Sequence, residues 1–379
     1  MENTKKIPFN KPSIIGNELY YIEQAVLSGK ISGDGIFTKK CSSFLEQRYN
    51  VKKVLLTTSC SSALDMSSIL FDIKQNDEVI LPTYTFTSTA NSFLARGARL
   101  KFVDIREDNF NIDETKIEDA LTAKTKLIAV VHYAGISCEM DTINEIAKSR
   151  NLFVVEDAAQ AMESKFKDRY LGTIGDLGCF SFHETKNCIC GEGGALLINN
   201  PVFEERAEII REKGTNRNKF FRGEIDKYTW VDIGSSFLPS EILSAFLYAQ
   251  LENVELILQK RKNEWNYYHE RFIDLEDRGL VKRPAESKHE FNAHIFYLIM
   301  KNEHIRDNLI QYLKNLGILT VFHYIPLHLS PVGRKMGYKK GDFPISERIS
   351  STIIRLPLFH SLTRDEQDEV VDRIYDFFK

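Results

Sequence analysis

No stretch of the chain reaches the roughly 18 unbroken apolar residues that a membrane helix needs, and the opening MENTKKIPFNKP lacks the apolar segment of a secretory leader. Both absences point to a cytoplasmic protein. An excess of positive charge is also missing: Lys and Arg total 50 against 53 for Asp and Glu, a net charge of −3, so nucleic acid is not an expected partner. Cysteine is sparse. Cys41, Cys60, Cys138, Cys179, Cys188 and Cys190 are scattered through 379 residues, which fits reduced thiols rather than a bridged framework. The lone Cys188/Cys190 pair lacks the second ligand pair of a closed zinc site, so no metal is expected. Low-complexity tracts, internal repeats and flexible linkers are absent too, and with 43% apolar and 27% charged residues the composition excludes disorder.

What is present is enough chain for two units, at about 150 residues per domain. From residue 51 to about 200, short β-branched apolar runs alternate with amphipathic segments, the pattern of parallel strands joined by crossover helices. VLLTTS (54–59), EVILP (78–82), RLKFVDI (99–105), KLIAVVH (126–132), LFVVEDA (152–158), GCFSFHE (178–184) and GALLINN (194–200) read as strands. Helices are expected at SSALDMSSIL, at DETKIEDALTA from Asp113 and at EMDTINEIAKSR from Glu139, the last two with the acidic first turn that suits a helix dipole. From Ser240 to about Phe272 the sequence predicts one long helix or two bent ones. Beyond it, AHIFYLIM (293–300), IRDNLIQYLKNLG (305–317) and ILTVFHYIP (318–326) predict a strand, a helix and a strand, and Thr363 caps a closing helix. The expected division is a large unit over 1–250 and a small α/β unit over 251–379.

Ligands of open parallel sheets sit at the carboxyl ends of the strands, which directs attention to three places. Thr58, Ser59, Cys60, Ser61 and Ser62 end one strand and start a helix, where N–H groups and hydroxyls hold phosphate, although Ser61 or Ser62 would equally serve as a plain helix cap. VVEDAAQ places Glu156, Asp157 and Gln160 at a strand end, where a carboxylate is costly unless a cation meets it; a simple helix-capping Asp is the alternative. FSFHETKN places Ser181 and Lys186 at another strand end, and a lysine held in a cleft loses its proton and attacks carbonyls, whereas a surface lysine does neither. An anion cradle, an acid partner for a pyridinium and a nucleophilic lysine are together the parts that hold pyridoxal phosphate.

The order of these elements, with PTYTFTSTANS, HYAG, CEMD and GEGG between them, resembles the DegT/DnrJ/EryC1/StrS sugar aminotransferases, from about Pro8 to the C-terminus. The resemblance implies the fold of the type I pyridoxal-phosphate enzymes: a large domain with a mostly parallel sheet and a smaller C-terminal α/β domain. It implies that Lys186 is the lysine that bonds to the cofactor and then moves the substrate proton. Asp157 is matched to the carboxylate paired with the pyridine nitrogen, Gln160 to the residue beside the phenolic oxygen, and Phe86 to the ring that stacks on the cofactor. Ser61, Ser62 and Ser181 match phosphate contacts, and His183 lies beside the site without a family role. A homodimer with shared sites is also implied; where the family often has an Asn reaching the neighbouring subunit's phosphate, GSSFL puts Ser236, with Leu238 in the place of the usual Arg.

A closer resemblance, through HETKN, REKGTNR, FFRGEIDKYTW, DIGSS and FHYIPLH, is to the branch that makes dTDP-4-amino-4,6-dideoxygalactose for enterobacterial common antigen. It implies L-glutamate as amino donor and C4 of dTDP-4-dehydro-6-deoxyglucose as acceptor. Lys213, Arg217 and Arg222 then meet a diphosphate or carboxylates, or else form a solvated face, and His323, Tyr324 and His328 approach the sugar nucleotide. Action at C3, the gluco epimer as product, a dehydratase and a non-catalytic sugar-nucleotide sensor are the alternatives. The family's dehydratases are expected to carry His in place of the lysine, which is present here.

Overall fold

The computed structural model describes residues 6–379; the first five residues of the segment considered above for a leader lie outside the described residues. Twelve strands follow in chain order: β1 (Lys53–Thr57), β2 (Glu78–Pro82), β3 (Arg99–Val103), β4 (Thr125–Val131), β5 (Phe153–Asp157), β6 (Lys165–Phe166), β7 (Arg169–Tyr170), β8 (Leu177–Ser181), β9 (Gly194–Ile198), β10 (Val281–Lys282), β11 (Phe296–Met300) and β12 (Ile353–Leu356). Seven form one sheet in the order β1-β9-β8-β5-β4-β2-β3. Only β9 runs against its neighbours β1 and β8; the other pairings are parallel.

The apolar runs explain this arrangement. A strand covered on both faces alternates its side chains between two cores, and β4 does so: Ile128 and Val130 join one buried cluster, Leu127 and Ala129 the other. The crossover helices Cys60–Leu70 and Met140–Arg150 pack on opposite faces, through Ala63, Leu64 and Met66 in one case and Ile143, Ile146 and Ala147 in the other. The segment from Asp113 is shorter than the sequence pattern suggests, a single 3-10 turn at Glu114–Lys116 followed by the helix Ile117–Ala120.

The run from Ser240 is two helices, Glu241–Glu252 and Val254–Arg271, meeting at Asn253. Leu251, Val254, Ile257 and Leu258 pack in the large core, while Trp265 and Tyr268 belong to a separate cluster built on the small sheet β10-β11-β12. That sheet is antiparallel and carries the helices Glu303–Asn315 and Arg364–Phe377, the latter with a capping box at Thr363 and Glu366. The strand expected at 318–326 does not form. The segment meets its neighbours through the single bridges Ile7↔Ile318 and Val321↔Arg355; it then leaves β12, and the Tyr324 carbonyl accepts from Ser350 Oγ instead of a ladder partner. The third strand of the small sheet is Ile353–Leu356.

Among the described residues no helix is long and apolar enough to cross a membrane, and no group of three or more His, Cys, Asp or Glu is placed to hold a metal ion. All six cysteines are free and buried.

Candidate functional site

Because every strand of the large sheet except β9 points the same way, the ends of β1, β2, β4, β5 and β8 share one edge. A cavity of about 520 Å³ opens there. Adjacent carboxylates on β5 are sorted by the strand's alternation. Glu156 turns away from the cavity and ties down the loop after β7: Oε1 accepts from the N–H groups of Ile174 and Gly175, both at 2.6 Å, and Oε2 from Gly172 N–H at 2.7 Å and His132 Nε2 at 2.9 Å. Asp157 turns into the cavity, where Thr89 Oγ1 donates to Oδ2 at 2.6 Å and Ala159 N–H to Oδ1 at 3.2 Å. Burial pushes the Asp157 pKa up, against the pull of those donors and of Lys186.

Lys186 rides on a loop folded back by the Gly-rich turn. Phe182 N–H donates to Gly193 O at 2.8 Å, Glu184 N–H to Gly191 O at 2.9 Å and Cys190 N–H to Phe182 O at 2.8 Å. The Lys186 side chain lines the cavity and, among the described residues, makes no ion pair or hydrogen bond. Burial lowers its pKa, opposed by Cys60 and Asp157, so the amine is poised to lose its proton.

Ser59, Ser61, Ser88 and Ser181 put hydroxyls on the wall around the N-terminus of the helix Cys60–Leu70, with Ser61 Oγ donating to Ser88 Oγ at 2.6 Å. Ser59 is the N-cap and accepts from Ser62 N–H at 3.0 Å. Gly194 permits this corner, since a Cβ there would lie 2.3 Å from the Ser59 carbonyl carbon. Ser62 stands behind the wall, its hydroxyl between Thr58 Oγ1 and Ser59 Oγ. Phe86 presents a ring that is 56% exposed to the cavity's open side. Gln160 is fixed by Ala134 N–H, which donates to Oε1 at 2.7 Å, and itself donates from Nε2 to Tyr324 Oη at 3.1 Å.

The structure thus gathers Lys186, Asp157, Gln160, Phe86, Ser61, Ser181, His323 and Tyr324 around one cavity, with His183 at its edge. It leaves several expected residues elsewhere. His328 does not line the cavity: it is fully buried, with Nδ1 against Thr83 Oγ1 at 2.8 Å just past β2 and Nε2 against Glu347 Oε1 at 3.0 Å on the helix Pro344–Thr352. Ser62 stays behind the wall as described. Ser236 is exposed and pairs with Glu212. Arg217 is exposed, over the rings of Phe221 and Tyr228 at 4.9 and 5.8 Å, outside the cavity of its own chain. Arg222 is held by Glu208 and Glu224, and Lys213 by Glu212. Arg355, His294 and Phe9 line the cavity without having been anticipated. Each lies outside the strand-end loops: Arg355 is on β12, His294 shortly before β11, and Phe9 in the N-terminal segment that bridges to Ile318 through Ile7. Burial and the cations Lys186 and Arg355 hold the pKa values of His294 and His323 well below the usual histidine range, leaving both imidazoles neutral.

The sequence matches the model of the DegT/DnrJ/EryC1/StrS aminotransferase family over residues 12–375. The chain belongs to that family. It is 37% identical over 331 residues to an uncharacterised protein of Methanocaldococcus jannaschii, covering 85% of each chain, and 30% identical over 376 residues to the GDP-perosamine synthase of Escherichia coli O157:H7, covering 99% of each. A solved putative sugar aminotransferase of Streptococcus pneumoniae, Spr1654, superposes with a TM-score of 0.91 at 26% identity over 98% of both chains, and has been seen in PLP and PMP forms. The protein is accordingly a sugar aminotransferase of fold type I that uses pyridoxal phosphate. The residues present fit that cofactor: a buried carboxylate, an unpaired amine, a hydroxyl-lined helix terminus and an exposed aromatic face meet in one space.

Proposed function

We propose that this sugar aminotransferase moves the amino group of L-glutamate to C4 of dTDP-4-dehydro-6-deoxy-D-glucose, giving dTDP-4-amino-4,6-dideoxy-D-galactose. The observation that carries the aminotransferase chemistry is the convergence of Lys186, Asp157, Gln160 and Phe86 on one cavity. The acceptor is supported by the motifs HETKN, REKGTNR and FHYIPLH.

Pyridoxal phosphate, when bound, supplies an electron sink for the carbon that gains or loses the amine. Asp157 would face the ring nitrogen and keep it protonated through its carboxylate, Gln160 would meet the phenolic side and Phe86 would cover a face. Ser61 and Ser181, with the helix N-terminus and Ser62 behind it, receive the phosphate. Lys186 Nζ would move a proton in each half of the cycle, off the donor Cα in the first and onto C4 of the sugar in the second. His323 and Tyr324 contact the sugar nucleotide. Ser236 and Arg217, exposed and distant from their own cavity, serve the neighbouring site of a homodimer in the cytoplasm.

The test is one incubation of protein with pyridoxal phosphate, L-glutamate and the dTDP-ketosugar, with the product identified by mass and NMR. A C4 amine of galacto configuration is expected. A parallel arm with GDP-linked 4-ketosugar is warranted by the relatives named for GDP-perosamine. Conversion of that substrate alone, an amine at C3 or the gluco epimer would overturn the assignment of acceptor. A protein that takes up no cofactor would favour a non-catalytic sensor.

A further inference from the structure

His294 precedes β11 and is tied to the loop that carries Lys186. Asn187, the residue after that lysine, donates from Nδ2 to the Asn292 carbonyl at 2.8 Å, and its Oδ1 meets His294 Nδ1 at 2.9 Å. A carbonyl only accepts, so it fixes which way the Asn187 amide lies. The amide oxygen also only accepts, so it puts the proton of a neutral imidazole on Nδ1. The ring is neutral because it is buried beside Lys186, Arg261 and Arg355. Nε2 is then a bare lone pair. It has no hydrogen-bond partner among the described residues and is not sealed off by protein, and His294 lines the cavity. The backbone that aims the ring is held firmly. Asn292 Nδ2 donates to the carbonyls of Gln160 and Met162, both at 2.8 Å, and Arg261 donates to those of Ala293 and His294. Between them Ala293 has φ +50°, a left-handed conformation that is costly for a residue with a Cβ and persists only where the surroundings impose it.

The other polar groups of the wall differ in kind. Arg355 only donates, the hydroxyls of Ser61, Ser181 and Tyr324 do either, and Asp157 already accepts from Thr89 and Ala159. His323 Nδ1 meets the Tyr133 hydroxyl at 3.1 Å, which fixes neither tautomer because a hydroxyl donates or accepts. An uncharged atom that can only accept suits a neutral donor and is unsuited to a carboxylate. L-glutamate offers no donor except the amine on its reacting carbon. In the ketosugar the reacting C4 has two neighbours: C5 bears the ring oxygen and a methyl group, whereas C3 bears a hydroxyl. We propose that His294 Nε2 accepts a hydrogen bond from that C3 hydroxyl, a specificity contact that rests on the reading of the acceptor given above. The tie through Asn187 places the imidazole beside Lys186, and C3 is one bond from the carbon on which that lysine works. The contact therefore belongs to the sugar half of the cycle and has no counterpart in the glutamate half.

The experiment uses holoenzyme and the variants His294→Asn and His294→Gln. The shorter amide of Asn falls where Nδ1 was, keeps the bond to Asn187 and removes Nε2; the longer amide of Gln carries an acceptor oxygen out to the place of Nε2. Loss of the bound cofactor's visible absorption is followed separately with L-glutamate, with the dTDP-linked 4-aminosugar product and with its 3-deoxy analogue. In the wild type the 3-deoxy compound is expected to bind about 10-fold more weakly than the aminosugar, the range for one neutral hydrogen bond. His294→Asn should weaken the aminosugar by a similar factor and the 3-deoxy compound hardly at all, with the glutamate half-reaction and cofactor content preserved, and His294→Gln should restore part of the loss. Nitrogen NMR of histidine-labelled holoenzyme, with the His294 signals identified by their absence in His294→Asn, should show Nδ1 protonated and Nε2 bare. A proton on Nε2, equal binding of the two aminosugars by the wild type, or equal weakening of glutamate and aminosugar in His294→Asn overturns the proposal. A wild-type protein that is bleached by glutamate but not by the 4-aminosugar would instead count against the proposed acceptor, and is read in the wild type alone.

Discussion

Glu156 and Asp157 are adjacent, both buried and both carboxylates, yet isosteric neutral replacement should damage different properties. In Glu156→Gln the amide oxygen can keep Ile174 and Gly175 N–H, but the amide nitrogen then faces two donors, Gly172 N–H and His132 Nε2. His132 cannot escape by changing tautomer, because its Nδ1 already accepts from Cys138 N–H at 3.2 Å. Two charge-assisted bonds are lost and two buried donors are stranded, for a cost on the order of 3–5 kcal/mol. Asp157→Asn loses much less stability, since one oxygen remains for Thr89 and burial already disfavours the charge. What it loses is the anion opposite the cofactor's ring nitrogen, and turnover should fall by about 100-fold or more. Chemical denaturation and steady-state amination, run on both variants, decide the matter. A Glu156→Gln protein of wild-type stability, or an Asp157→Asn protein of wild-type rate, would refute the sorting of the two carboxylates by strand alternation.

Lys186→Ala should abolish amination while leaving the fold intact; turnover near the wild-type rate, measured by product mass, would remove Lys186 from its role. His294 and His323 are held neutral, with folded pKa values well below 6.5. Below about pH 6.5 the unfolded chain therefore binds protons that the folded chain does not, and stability present above that pH is lost as pH falls. The denaturation midpoint should drop from about pH 7.5 to about pH 5.5, and His294→Gln should flatten the slope; an equal slope would show that the imidazole is not the titrating group. Gly194→Ala puts a methyl 2.3 Å from the Ser59 carbonyl carbon, so it should weaken cofactor retention, measured by absorbance after dialysis, before it unfolds the protein.

The large domain was legible because its strands are apolar on both faces and its crossover helices carry their own start signals, as at Ser59, whose side chain accepts from Ser62 N–H. That Asp157, Gln160, Ser181 and Lys186 meet at one cavity was legible for the same reason: once the strands are placed, their carboxyl ends follow. Segment 318–326 was not. Its β-branched and aromatic composition favours a strand, but its partner edge on β12 offers only the bridge at Val321, and Pro326 has no N–H to donate. His323 and His328, five residues apart, were therefore indistinguishable in the sequence; one reaches the cavity and the other is locked between Thr83 and Glu347. Arg355 was illegible for a different reason, since a single charge in an apolar strand gives no sign of whether its face meets solvent or a second domain.

The charge pattern of the cavity ties these elements to a two-substrate cycle. Asp157 accepts from Thr89 Oγ1 and Ala159 N–H, and Glu192 lies 3.6 Å from His183. Lys186 and Arg355 line the same cavity, and among the described residues neither side chain makes an ion pair. Burial favours the deprotonated Lys186 amine, which leaves Arg355 as the fixed cation among the described residues of the wall. The acceptor sugar brings a ketone and hydroxyls to the same carbon position. Hydroxyls pair with the phenol of Tyr324, and with neutral imidazoles, as readily as with a guanidinium. A cavity with one fixed cation among neutral hydrogen-bonding rings can therefore accept the two substrates in turn, because neither has to displace a protein ion pair to enter.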